Sequence, residues 1–162
     1  MSAETFVNAL FLITAVVAAG ILITAVLPIV WNMAGTFSTA SHESDTRMRT
    51  DFKIVAYFAK PDPDNHGEIY LKNVGSYRIP INEIKSSDVF FGEKTKFTRL
   101  KFVDTPSNPE EWTCIFTESY DINGNTIWDT GETIQILAYP KEKFNPNDEA
   151  YFQFILPNGV LR

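Results

Sequence analysis

Phe6-Val-Asn-Ala-Leu-Phe-Leu-Ile-Thr-Ala-Val-Val-Ala-Ala-Gly-Ile-Leu-Ile-Thr-Ala-Val-Leu-Pro28 carries no ionisable side chain, and the uncharged run extends from Thr5 to Ser41. At ~1.5 Å per helical residue, Phe6 to Trp31 covers about 39 Å, more than the ~30 Å hydrocarbon core of a bilayer. A helix satisfies its own backbone in lipid, so this stretch reads as a membrane-spanning anchor. Gly20 and the neighbouring alanines form a small-residue face suited to close helix approach. Pro28 is expected to bend the helix near its exit, and Trp31 suits the membrane interface. A secretory signal peptide, with Ser38-Thr-Ala40 as cleavage site, is the alternative. The apolar run is much longer than a signal core and no Lys or Arg precedes it, which favours an uncleaved anchor. Charge leaves the orientation open, because Glu4 lies on one side and Arg47 and Arg49 on the other.

Working outward, three zones follow: a transmembrane helix over 1–33, a helical stalk over 34–50 and a β domain over 51–162. The stalk is expected from the near-helical spacing of Val30, Met33, Phe37, Ser41 and Met48. From Phe52 the period changes to two. Seven strands are expected, at Phe52–Phe58, Glu68–Val74, Asp88–Phe91, Phe97–Phe102, Trp112–Tyr120, Thr133–Tyr139 and Ala150–Leu156. Turn chemistry punctuates them at Pro61–Gly67, Val74–Ser76, Phe91–Glu93, Thr105–Pro109, Asn123–Gly124 and Asn145–Asp148. The expected fold is an all-β, immunoglobulin-like antiparallel sandwich of about seven strands on a transmembrane helix, without the cysteine pair of antibody domains.

The net charge of −6 and the lack of a basic stripe argue against nucleic-acid binding. A single cysteine, Cys114, excludes an internal disulfide and reads as a small core residue. Both histidines, His42 and His66, lie in polar segments, and no nucleophile, phosphate-loop or zinc motif occurs. An enzyme is therefore not expected, and no catalytic residue is assigned.

One motif carries possible chemistry. Asp121-Ile-Asn-Gly-Asn-Thr-Ile-Trp-Asp-Thr-Gly-Glu132 places oxygen-bearing groups at loop positions 1, 3, 5, 9 and 12, namely Asp121, Asn123, Asn125, Asp129 and Glu132, with the carbonyl of Ile127 at position 7. That is the spacing of a twelve-residue calcium loop, departing from it where Thr126 replaces the glycine of position 6. The alternative makes Asn123-Gly124 a simple turn and Trp128 a plug against the sandwich.

Taken together, the charge-free helix, Asp51–Val55, Leu71-Lys-Asn-Val-Gly-Ser-Tyr-Arg-Ile-Pro80, Ser87–Gly92, Trp128-Asp-Thr-Gly-Glu-Thr-Ile134 and Pro157–Val160 resemble the archaeal flagellar protein G family. The resemblance implies a single-span stator component of the archaellum, its sandwich outside the cell membrane and beneath the surface layer. It implies work with flagellar protein F, contact with surface-layer protein directly or indirectly, and self-association, possibly into a filament. Tyr77, Arg78, Phe90 and Phe91 are the interface residues expected where the resemblance is densest. The alternatives are an archaellin or type IV pilin-like filament subunit, made with a basic leader that Met1–Thr5 does not show, and a membrane-tethered calcium-binding envelope domain.

Overall fold

The computed structural model of the chain describes residues 3–60, 65–117, 120–143 and 149–162. Residues 61–64 of the turn expected at Pro61–Gly67, the turn expected at Asn145–Asp148, and part of the strand expected to reach Tyr120 lie outside the described residues. The chain forms two compact units, Met1–Ser44 and Asp45–Arg162.

A single helix, α1, runs Ala3–Arg49 and takes in both the anchor and the stalk. Alanine and unbranched aliphatic residues favour it. Thr14, Thr24, Thr36 and Thr39 turn their hydroxyls onto the helix backbone: Thr14 donates to the Leu10 carbonyl at 2.8 Å and Thr36 to that of Asn32 at 2.9 Å. These four threonines thus keep their own donors paired within the helix. Pro28 lies inside the helix without ending it. No residue of α1 is buried, and Phe11, Trp31 and Phe37 are each more than 70% exposed. The uncharged run of this helix, exposed on every side, is suited to lipid or to other helices. Its length and composition suffice to cross a membrane.

The second unit holds all nine strands found among the described residues: β1 Phe52–Lys60, β2 His66–Asn73, β3 Ile79–Pro80, β4 Asp88–Glu93, β5 Thr98–Phe102, β6 Glu111–Ile115, β7 Ile127–Trp128, β8 Thr133–Tyr139 and β9 Ala150–Ile155. A short helix, α2, spans Ile81–Lys85. All seven expected strands are present; β3, β7 and α2 were not expected. The strand expected over Trp112–Tyr120 stops at Ile115.

Seven strands form one sheet in the order β1-β2-β8-β6-β5-β4-β9, while β3 and β7 pair separately. Every pairing is antiparallel except β5 with β6, where Lys101 and Phe102 lie opposite Glu111 and Trp112. The two layers are therefore wings of one folded sheet, joined through that parallel pair.

Alternation builds the core. In β2, Gly67, Ile69, Leu71 and Asn73 face inward; in β8, Ile134, Ile136 and Ala138 do. The β9 wing closes over them, with Phe154 edge-on to Phe52 at 5.5 Å and to Trp112 at 6.1 Å. Close-packed aromatics of this kind contribute beyond their buried area. Gly67 lets the layers close, because a Cβ there would stand 2.3 Å from Cζ of Phe91 on β4 and the ring would have to shift.

Candidate functional site

Three of the segments that carry the family resemblance, at Asp51, Leu71–Pro80 and Trp128–Ile134, meet at one place, and Asn73 is its centre. This residue ends the inward-facing row of β2 and has no exposed surface. Its Nδ2 donates to the carbonyls of Tyr77 and Trp128, each at 2.9 Å, and its Oδ1 accepts from the Gly75 N–H at 3.0 Å. Its own carbonyl accepts from Gly131 at 2.7 Å and its N–H donates to the Glu132 carbonyl at 3.0 Å. A buried amide with every group paired fixes the turn after β2 and the loop before β8 as one body.

The last turn of α1 is fastened to that body. The Arg49 carbonyl accepts from Ser76 at 2.9 Å and Tyr77 at 3.0 Å, and the Asp51 carbonyl accepts from Val74 at 3.0 Å and Gly75 at 2.8 Å. Only glycine fits at position 75, where a Cβ would lie 2.4 Å from both the Arg49 carbonyl and the Asp51 nitrogen. Asn158 donates to the Thr50 hydroxyl at 2.9 Å, and Arg162 pairs with Asp51 at 2.5 Å. Carbonyls left over at a helix C-terminus thus find partners in the β domain instead of water.

Around this joint, the loop from Asp121 to Glu132 wraps its own carboxylates in N–H donors. Asp121 is buried and accepts from Gly124 and Thr126, both at 2.8 Å. Glu132, also buried, accepts from Ile122 at 3.0 Å and Asp129 at 2.8 Å. Asn123 and Asn125 accept from the N–H groups of Asn125 and Ile127, at 3.1 and 2.8 Å, and both donate to Asp129 Oδ2 at 2.8 Å. The Arg78 guanidinium grips the same carboxylate, through Nε to Oδ1 and Nη2 to Oδ2, and with Asn123 it holds Asp129 well below the usual carboxylate range. Thr126 adopts φ +60°, the left-handed conformation that position 6 of an ion-binding loop requires. Ile127 lies in β7 opposite Pro80, and Trp128 is wholly buried with Nε1 donating to the Glu132 carbonyl at 2.9 Å. Among the described residues, no three of His, Cys, Asp or Glu are grouped so as to hold a metal ion.

The four expected interface residues fall in different settings. Arg78 is exposed and tied to Asp129; Tyr77 is half-buried and donates to Glu83 at 2.9 Å, its phenol pushed up mainly by burial. Phe90 is half-buried on the outward face of β4. Phe91 is a correction: at 3% exposure it is a core residue, because it shares the inward parity of Val89. Phe6, Gly20, Pro28 and Trp31 all lie exposed along α1. Cys114 is half-buried, and burial pushes its thiol up to about 12. Asn73 and the Arg78–Asp129 pair were not singled out from the sequence; a polar residue at the inward parity of a strand was the available signal.

Comparison with known proteins bears on this architecture. An uncharacterized protein of Archaeoglobus fulgidus is 28% identical over 163 residues, covering 99% of this chain and 95% of the relative. The archaellum periplasmic stator protein FlaG of Sulfolobus acidocaldarius shares the fold at TM-score 0.54 and 22% identity, over 69% of this chain and 94% of that one. FlaG in its complex with FlaF, from the same organism, matches at TM-score 0.53 and 22% identity, over 68% and 83%. The family model for archaeal-type flagellins matches residues 3–162, and the chain belongs to that family.

Proposed function

We propose that this chain is a stationary component of the archaellum motor, tethered to the cell membrane by α1, with its β domain on the outer side and a FlaF-type protein as partner. Family membership and a fold shared with a stator protein support an archaellum component with a structural role. The observation that carries the stator reading is the joint at Asn73. A part that holds against torque needs a well-braced head, and within the second unit the Arg49 carbonyl is bonded to the turn after β2, which Asn73 ties in turn to the loop before β8. The head in turn would contact the surface layer, directly or through its partner.

The test is co-expression of the full chain with the FlaF-type protein of the same cell, followed by purification from detergent-solubilised membranes. A stoichiometric complex is expected, and recovery of the chain without that protein would contradict the reading. A second reading, a filament subunit, is favoured by the flagellin family model itself. Mass analysis of the native N-terminus separates the two: removal of a leader before the apolar helix marks a filament subunit.

A further inference from the structure

The sequence holds two Asn-Gly pairs, Asn123-Gly124 and Asn158-Gly159. Both lie in turns whose glycine takes a left-handed φ, +66° at Gly124 and +80° at Gly159, which glycine adopts without strain. The two asparagines are held in the same way. The side-chain oxygen accepts from the N–H two residues on, that of Asn125 or Val160, each at 3.1 Å. The side-chain nitrogen donates to a distant side chain, from Asn123 to Asp129 Oδ2 at 2.8 Å and from Asn158 to the Thr50 hydroxyl at 2.9 Å. The N–H of the following glycine is occupied as well, donating to Asp121 Oδ1 in one turn and to the Leu156 carbonyl in the other, both at 2.8 Å.

An Asn-Gly pair is open to reaction with itself, because no side chain on the glycine screens its nitrogen. That nitrogen attacks Cγ of the asparagine: the N–Cγ bond forms, the Cγ–Nδ2 bond breaks, and the glycine's amide proton leaves with Nδ2 as ammonia. Solvent water then opens the cyclic succinimide at either carbonyl, giving aspartate or isoaspartate, with no change of oxidation state. For attack, Cγ must turn toward the glycine nitrogen and that nitrogen must give up its proton. The bonds to Oδ1 and Nδ2 oppose the first movement, and the bond from the glycine N–H opposes the second.

We propose that Asn123 and Asn158 are latent modification sites, intact while their turns are closed and converted to aspartate or isoaspartate when those turns open. Conversion is one-way and falls on residues that hold the β domain together. At 123 it replaces a donor to Asp129 with a second negative charge; at 158 it removes the Nδ2 donor to Thr50, the residue that follows α1. Isoaspartate also adds a methylene to the main chain, so the turn that carries it does not close again in its present geometry. This inference stands on the bonding of the two turns and does not rest on the stator reading.

The experiment incubates the full chain in detergent at mildly alkaline pH and follows each pair by peptide mass analysis, beside the same chain unfolded in guanidinium chloride. In the folded chain both pairs are expected to convert at least about tenfold more slowly than in the unfolded one, since each turn must open first. Thr50→Val is expected to speed conversion at Asn158 several-fold and leave Asn123 unchanged, and Asp129→Ala to do the reverse. Conversion of either pair in the folded parent at its unfolded rate overturns the proposal. So does a variant that leaves both rates unchanged or raises both alike.

Discussion

Asn73 at the end of β2 donates from Nδ2 to the carbonyl of Trp128, 2.9 Å away in space and 55 residues later in the chain. That bond joins the turn that holds the root of α1 to the loop that precedes β8. Its neighbours Gly75, Tyr77 and Gly131 are bonded to the same residue, so these segments of the second unit form one hydrogen-bonded cluster.

Asn73→Ala leaves the carbonyls of Tyr77 and Trp128 without their donor in a site closed to water. A loss of about 2–3 kcal/mol is expected in a urea melt. Asn73→Asp, of the same shape but without the Nδ2 donor, is expected to fare no better. Rescue by aspartate would show that shape and not donation matters.

Asp129 makes the joint sensitive to acid. Its folded pKa lies below the unfolded value of about 3.9, so the carboxylate stabilises the fold at all higher pH and loses that contribution as pH falls through 4 toward 2. Asp129→Asn is expected to melt below the parent at pH 7, and the gap to narrow steadily as the pH falls below 4. Parallel curves would contradict the role given to the Arg78 pair.

Gly67 on β2 and the Phe91 ring on β4 pack against one another in the core. Gly67→Ala must displace the Phe91 ring, at an expected cost of about 1–3 kcal/mol. Phe91→Leu made in that background is expected to recover part of the loss, read as coupling in a double-mutant cycle. Additive effects would place the clash elsewhere.

Calcium in the Asp121–Glu132 loop is a proposal that the backbone at Thr126 favours and Arg78 opposes, since a guanidinium already neutralises Asp129. With about 1 mM calcium, Arg78→Ala is therefore expected to gain several degrees in melting temperature and the parent less. No gain in either protein removes calcium from the account.

The sequence was most informative where one period ran uninterrupted. The uncharged run made α1 plain, and alternation in Ile69-Tyr70-Leu71 and Ile134-Gln135-Ile136 located strands and their inward faces. The parallel β5–β6 pairing was not legible, because two opposed residues impose no pattern on either strand. Nor were β3 and β7, two residues each, which exist through Ile79 lying opposite Trp128. The site was half visible: the residues of both segments stood out, but not that Asn73 would bring them together, since a hydrogen bond across 55 residues has no local signature. Phe91 shows the converse limit, an aromatic whose parity placed it in the core while its composition suggested an interface.

Separating sheared archaella from cell bodies tests the central claim most directly. The chain is expected to stay with the cell bodies, in the membrane fraction until detergent is added, and to be absent from the filaments. Its recovery as a principal constituent of the filaments, or as a species soluble without detergent, would contradict the account.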